Sequence, residues 1–384
     1  RSLCCQWFAQ NIKIMKYDIK QFCLVPPPYG GVTMFVKRLS KQLLQDGFSV
    51  GGYYTKECVD PDIIESRLYT QIDCKYSSNI FLRALNRFIY DCKRLKEAAS
   101  YRLVHYHGLE NLTLILLMKV LLQKEIVITV HSSMIEGFYK GTSLLNRYAM
   151  GKLAKEVQWV AVSEQARECM LNLPIQFCLP IPIIPAYVPE CKANLTPLSA
   201  KMSEYIKNHN KIVSFYGRSF MFYQGTDIYG FTSALDMYAT LHELDSTVGL
   251  VFCLSEDKDI EKISELRSYA QSLNIDDKVF WQIGAIDNIQ SLWMKTDVYI
   301  RLTFTDGDSV AVREVLDCGA YVVASDVCSR PDSVITYEWN NKESLLSKVL
   351  YALNLPRRKT SSNYTYYEMM KAMYKNILKK HDNG

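Results

Sequence analysis

The chain predicts an α/β protein built as two Rossmann-like domains, and three observations carry that expectation. Short apolar runs alternate with stretches of helical period from Tyr17 onward. Near the middle, Ile181 to Pro189 brings three prolines into nine residues, which reads as a linker. The 384 residues exceed what one small core needs, so two domains are the expected count. The expected boundaries are 15–187, 188–358 and a last helical segment 359–384. Strands that alternate with helices argue for a parallel sheet covered on both faces.

Composition narrows the class. The chain is 48% hydrophobic and 22% charged, ordinary for a globular protein. A net charge of +5 does not call for nucleic acid. The 12 cysteines are scattered and form no C-x-x-C pair, which argues against a zinc ribbon or a thioredoxin-type site and fits a reducing cytoplasm. The most apolar helical stretch, Leu112 to Leu122, holds Lys119 and falls far short of the ~20 residues a membrane span needs. Residues 1–14 lack the features of a signal peptide and read as a non-structural leader before Met15.

In the first half, Gln21 to Val25 reads as a strand that Pro26-Pro27-Pro28 cannot continue. Gly30-Gly31 follow, and Val32 to Gln45 has helical period. Phe48 to Tyr54 is the next strand. Ile80 to Arg102 is a basic helical stretch, fit either for an anionic membrane surface or as a core face backed by a solvated one. Two strands then end in histidine, at His107 and His131. Such strand ends line a ligand site in open α/β sheets. Val157 to Val162 is a strand and Ser163 caps a helix to Leu171.

In the second half, Lys211 to Tyr216 is a strand ending at Gly217-Arg218. Thr226 to Leu241 reads as a helix, then Val248 to Leu254 as a strand, Ile260 to Leu273 as a helix and Val279 to Ile283 as a strand. Ile289 to Met294 is a short helix, and Tyr364 to Leu378 the last one. Between them lies the most informative unit. After the apolar run Val298-Tyr299-Ile300 comes a turn, Asp306-Gly307-Asp308, then a helix with Asp308 and Ser309 as cap-type residues. Glu314 stands eight positions after Asp306, Gly319 is placed to end the helix, and Tyr321 to Ala324 is a buried strand.

That unit resembles the donor-site signature of retaining glycosyltransferases of family 4, an E-x7-E pattern followed by a small residue and glycine. Here Asp306 takes the first acidic position, Glu314 the second, Cys318-Gly319 the pair, and Ala324-Ser325-Asp326 the strand end. Gly30-Gly31, the histidine strand ends and Gly217-Arg218 resemble further motifs of the same family. The resemblance implies the GT-B fold, two Rossmann-like domains facing a central cleft, with the last helix crossing back to the first domain. It implies a nucleotide-sugar donor, UDP- or GDP-linked, and no separate cofactor. Arg218, the backbone at Ser309 and Val310, and Gly30, Gly31 and Gly217 are implied for the diphosphate. Glu314 is implied for the ribose, Asp306 and His131 for the sugar, and His107 for the acceptor side. Phe280 to Ala285 corresponds to the segment that reads the base. Gln224 stands where the family carries a lysine, so one phosphate-binding charge is missing.

The implied activity is sugar transfer with retention to a glycan or lipid-linked acceptor, in surface polysaccharide or glycolipid synthesis at the inner face of the cell membrane. A nucleotide-sugar epimerase of GT-B fold is an alternative, as is a binding protein with little turnover. Asp306-Gly307-Asp308 also resembles a metal-binding D-x-D motif. Its place in the second block, and the register of Glu314 and Cys318-Gly319, point to metal-independent transfer, with Asp306 facing the sugar and Asp308 acting as a helix cap.

Overall fold

The computed structural model describes residues 16–28, 30–72, 80–190, 195–223, 225–284, 286, 289–306 and 308–382. The leader 1–14, Gln224 and Ala285 lie outside the described residues. The chain divides into two compact units. One runs to Val188 and takes in the chain from Tyr364 onward; the other is Pro189–Asn363.

The first unit runs β1 (Tyr17–Leu24), α1 (Gly31–Gln45), β2 (Val50–Tyr54), α2 (Pro61–Ile64), β3 (Thr70–Gln71), α3 (Ile80–Ala99) and β4 (Tyr101–Tyr106). It continues with α4 (Leu112–Leu122), β5 (Glu125–Val130), α5 (Ile135–Gly141), α6 (Leu144–Glu156), β6 (Gln158–Ala161) and α7 (Glu164–Leu171). The second unit holds α8 (Ala200–Lys207), β7 (Lys211–Gly217), a hairpin of β8 (Phe222–Tyr223) and β9 (Thr226–Asp227), α9 (Phe231–Leu244), β10 (Val248–Leu254), α10 (Ile260–Ser272) and β11 (Val279–Ile283). Then come α11 (Gln290–Trp293), β12 (Val298–Arg301), α12 (Val310–Asp317), β13 (Tyr321–Ser325), β14 (Ile335–Tyr337) and α13 (Lys342–Leu353). The last helix, α14 (Thr365–Asp382), returns to the first unit, where Tyr367, Met370, Tyr374 and Leu378 join the core of Ile19, Val36 and Leu39.

Each unit is a six-stranded sheet, ordered β3-β2-β1-β4-β5-β6 and β11-β10-β7-β12-β13-β14. All pairings within the two sheets are parallel. The side-chain period of two explains why both faces are apolar. In β5, Ile126 and Ile128 enter one core cluster and Val127 the other. In β12, Val298 and Ile300 face one cluster while Tyr299 faces the other. These are the two Rossmann-like domains that the alternation predicts.

Local departures have local causes. Thr226 to Leu241 is not one helix. Its start is the β8–β9 hairpin, and the helix begins only at Phe231, after Gly230 at φ +74°. Asp227 holds that start, accepting from the Phe231 N–H at 2.6 Å and the Tyr229 N–H at 2.9 Å. Helix α3 stops at Ala99, so Arg102 lies in β4. Its apolar residues Leu82, Leu85, Phe88 and Ile89 are exposed, while Tyr90, Leu95, Ala98 and Ala99 pack on the core, so the core-facing reading holds only for its later turns. Gly319 ends α12 in the left-handed region, at φ +82°. The cap of α12 is Ser309, whose Oγ accepts from the Val312 N–H; Asp308 is not the cap.

Candidate functional site

In the second unit the strand order reverses beside β7. Strands β10 and β11 lie to one side and β12 to β14 to the other. Ligands of open α/β sheets bind beyond the carboxyl ends of strands at such a point. Gly217-Arg218, Arg301 to Asp306 and Ser325 all leave the sheet on that edge. At Gly217 a Cβ would sit 2.4 Å from the Phe231 ring, so glycine is required by packing. The Arg218 Nε donates to Glu256 at 3.0 Å, and both side chains are close to half exposed. Such a surface pair holds weakly and leaves Arg218 open to exchange partners.

Asp306 is held differently. Arg301 forks onto it, with Nε at 3.0 Å and Nη2 at 3.2 Å, and Arg330 donates from Nη1 at 2.8 Å. Burial works against its charge, yet the two guanidiniums bring its carboxyl well below the usual range. Asp308 is gripped by Arg313, with Nε at 2.8 Å, although burial still raises its pKa. Helix α12 starts at Val310 behind its Ser309 cap, and the backbone N–H groups of a helix start favour an anion. Glu314 is buried on α12 and accepts from the Trp293 indole N–H at 3.1 Å. Phe280 to Ile283 lie in β11, at the edge of this sheet.

In the first unit, the equivalent edge carries a stack of imidazoles. His105 and His107 lie with ring centroids 3.8 Å apart, and His107 and His131 with centroids 5.4 Å apart. His107 Nε2 meets Gln21 Oε1 at 2.7 Å, and His107 Nδ1 meets His131 Nε2 at 3.1 Å. With the Gln21 oxygen as acceptor, His107 donates from Nε2, and His131 donates from Nε2 to His107. That leaves a lone pair on His131 Nδ1. Burial lowers all three pKa values, for His131 to about 4, so the cluster is neutral at pH 7. His105 is tied to Tyr374 of α14 and to Thr129 Oγ1 at 2.7 Å. Gly30 sits in extended backbone at φ −172°, which any residue adopts, and Gly31 opens α1.

His107 and His131, which the sequence places on one expected edge, lie in contact here; the sequence gives no role to His105, whose ring lies on His107, or to Gln21, which bonds it. It also misses Arg301 and Arg330. The available signal was a single arginine at the end of an otherwise apolar strand, Val298 to Arg301, and another in the loop that follows the β13 strand end at Ser325.

Comparisons with known proteins agree with this architecture. Residues 29–185 match the family model described as Glycosyltransferase Family 4. A glycosyltransferase from Rickettsia africae ESF-5 superposes with TM-score 0.67 at 18% identity, covering 95% of this chain and 99% of its own. Sucrose-phosphate synthase from Thermosynechococcus elongatus gives TM-score 0.71 at 15% identity, covering 95% and 100%. Anabaena HepE, solved with UDP and glucose, gives TM-score 0.66 at 13% identity, covering 96% and 98%. No curated protein matches the sequence. The fold is GT-B. Residues 29–185 thus resemble family 4 glycosyltransferases, and the chain as a whole shares its fold with these solved structures.

Proposed function

We propose that the chain transfers a sugar from a nucleotide-sugar donor to an acceptor hydroxyl, with retention and without a metal. One observation supports this reading: β7 ends at Gly217-Arg218 and the turn into α12, the helix that carries Glu314, leaves the same carboxyl edge of the second sheet at its switch point. Those groups suit a nucleoside diphosphate. Arg218 and the backbone N–H groups at Ser309 and Val310 would stabilise charge as the diphosphate departs, and Glu314 would hold the ribose. HepE, of the same fold, is solved with UDP-glucose, which supports a UDP-sugar among the candidate donors.

The acceptor would lie on the first unit. The neutral His131 presents a lone pair suited to a hydroxyl of the sugar or the acceptor, and His107 holds its ring in place. Attack on the face that the diphosphate leaves is what the family resemblance supports. Metal independence is supported by the pairing of Asp306 and Asp308 with arginines, which a divalent cation would have to displace.

The acceptor class we propose is a glycan or a lipid-linked glycan, handled at the inner face of the cell membrane. Among the described residues no helix is long and apolar enough to cross a membrane. Helix α3 instead exposes Leu82, Leu85 and Phe88 beside Arg87 and Lys93, a composition suited to an anionic surface. No disulfide joins the eight described cysteines, in keeping with a reducing compartment.

A thermal-shift screen with UDP, GDP and their sugar conjugates tests the donor reading. A rise in melting temperature with one nucleotide family is expected. No shift with any of them would overturn it.

A further inference from the structure

Three helices cover one face of the first sheet and leave their outer side apolar. Helices α3, α4 and α6 pack on the cluster that holds Phe22, Val104 and Ile128. They are tied side by side. Asn111, at the start of α4, donates to Asp91 of α3 at 3.1 Å, and Asn146 of α6 accepts from the Thr113 N–H of α4 at 3.2 Å. Helix α4 turns Leu112, Ile115, Met118 and Leu122 inward. A surface helix with that one stripe would show polar residues to water. Instead Leu117, Val120 and Leu121 are exposed, at the i, i+3, i+4 spacing of an outer stripe. Leu85, Phe88 and Ile89 repeat the spacing on α3. On α6, Leu144 is 79% exposed, Leu145 70% and Tyr148 61%. Single exposed apolar side chains are ordinary, but stripes on three adjoining helices mark an interaction surface.

Charge selects what the surface meets. Of the acids on these helices, Asp91 bonds Asn111, Glu97 lies 3.4 Å from the buried Lys20, and only Glu156 is exposed. Arg87, Lys93 and Lys96 of α3 and Lys152 and Lys155 of α6 are exposed. Lys152 stands 5.7 Å over the Tyr148 ring, so cation and apolar stripe meet on one helix. A second copy packed through the same face would set these cations against each other. The interface of a bilayer that carries anionic lipid matches both the apolar stripes and the charge. Helix α4, with 11 residues, is too short to span a bilayer but can lie in that plane.

We propose that the outer face of α3, α4 and α6 seats the first unit on an anionic lipid surface, with the apolar stripes at the acyl boundary and the cations among the headgroups. The histidine edge borders this layer, because β4 leads through His107 into the start of α4. The placement rests on the acceptor reading for its purpose. It goes further by extending the contact from α3 to a layer of three helices, and by selecting a lipid-linked acceptor over a free glycan.

The test is flotation of the full chain with phosphatidylcholine vesicles, with and without phosphatidylglycerol. Binding to the phosphatidylglycerol vesicles is expected, weaker as salt rises. Leu144→Ser combined with Leu145→Ser should cut it about ten-fold or more, and Val120→Ser on the middle helix about three-fold. Both leucines stand in water, so the double variant should melt with the parent chain. Lys152→Gln and Lys155→Gln should each cut binding about five-fold on phosphatidylglycerol vesicles alone. No binding to those vesicles, or binding that the leucine and Val120 variants keep in full, overturns the proposal. So does self-association in sedimentation velocity that the leucine variant loses while vesicle binding is unchanged, which would assign the face to a second copy. Retention on heparin that matches vesicle binding and ignores the leucine change would assign it to a soluble polyanion. Failure on vesicles leaves the donor reading standing, since the thermal-shift response to UDP and GDP needs no lipid; loss of that response with vesicle binding intact does the reverse.

Discussion

The two units place polar side chains on the same edge of the same kind of sheet, and treat their charge in opposite ways. In the first unit, burial drives three histidines to the neutral form, and the cluster holds its shape through Gln21, Thr129 and Tyr374. In the second, burial is as deep, but Asp306 stays ionised because two guanidiniums surround it. Burial alone therefore does not decide protonation; the presence of an opposite charge does. The difference suits the partners proposed for each. Neutral imidazoles match hydroxyl groups, and a half-exposed arginine such as Arg218 beside a helix start matches a diphosphate.

The largest effect should come from breaking the charged cluster. Asp306→Ala leaves two buried guanidiniums without their counter-ion, and a loss of about 3–5 kcal/mol in stability is expected. The shift of the urea midpoint measures it. A change below about 1 kcal/mol would mean the cluster behaves like an exposed pair.

Glu314→Ala comes next. It should weaken nucleotide binding by about 1–3 kcal/mol through loss of a charged hydrogen bond to ribose. It also strips the Trp293 N–H of its acceptor, so indole fluorescence reports whether the helix has moved. Nucleotide affinity unchanged in calorimetry, with fluorescence intact, would remove Glu314 from the site.

The histidine cluster gives a pH signature in its own window. His131 titrates at about 4 when folded and near 6.5 when unfolded, so the unfolded chain binds more protons between those values. Stability from this group is full above the unfolded value and is lost as pH falls toward 4. His105 and His107 act in the same direction. His131→Asn should flatten the fall in melting temperature over that range. A slope as steep as that of the parent chain would show that the ring does not sense the pH change.

How much of this was legible in advance depends on range. Strands such as β10, apolar at every position, announce themselves, and so do caps such as Ser163, whose hydroxyl accepts from the Ala166 N–H. Gly319 was legible because the left-handed turn that ends a helix asks for glycine. Asp306 was legible as a residue, but its enclosure by two arginines was not. Its partner Arg330 is 24 residues away, and no local pattern shows that a carboxylate will be enclosed. The start of α9 failed for a similar reason. Asp227 reaches forward to cap Phe231, and a hairpin fills the space where helical period alone would continue the helix.

The smallest effect is expected from Gln224→Lys. A lysine there supplies the cation that the family carries at this position, so diphosphate affinity should be unharmed or rise by no more than a few-fold. A large loss would show that position 224 does not face the diphosphate.

The most direct measurement is release of free nucleoside diphosphate from UDP- and GDP-sugars, with and without glycan acceptors, before and after exhaustive EDTA treatment. The account predicts release from one donor family, faster with an acceptor and unchanged by the chelator. Release abolished by EDTA and restored by manganese, or no release from any donor that binds, would contradict it.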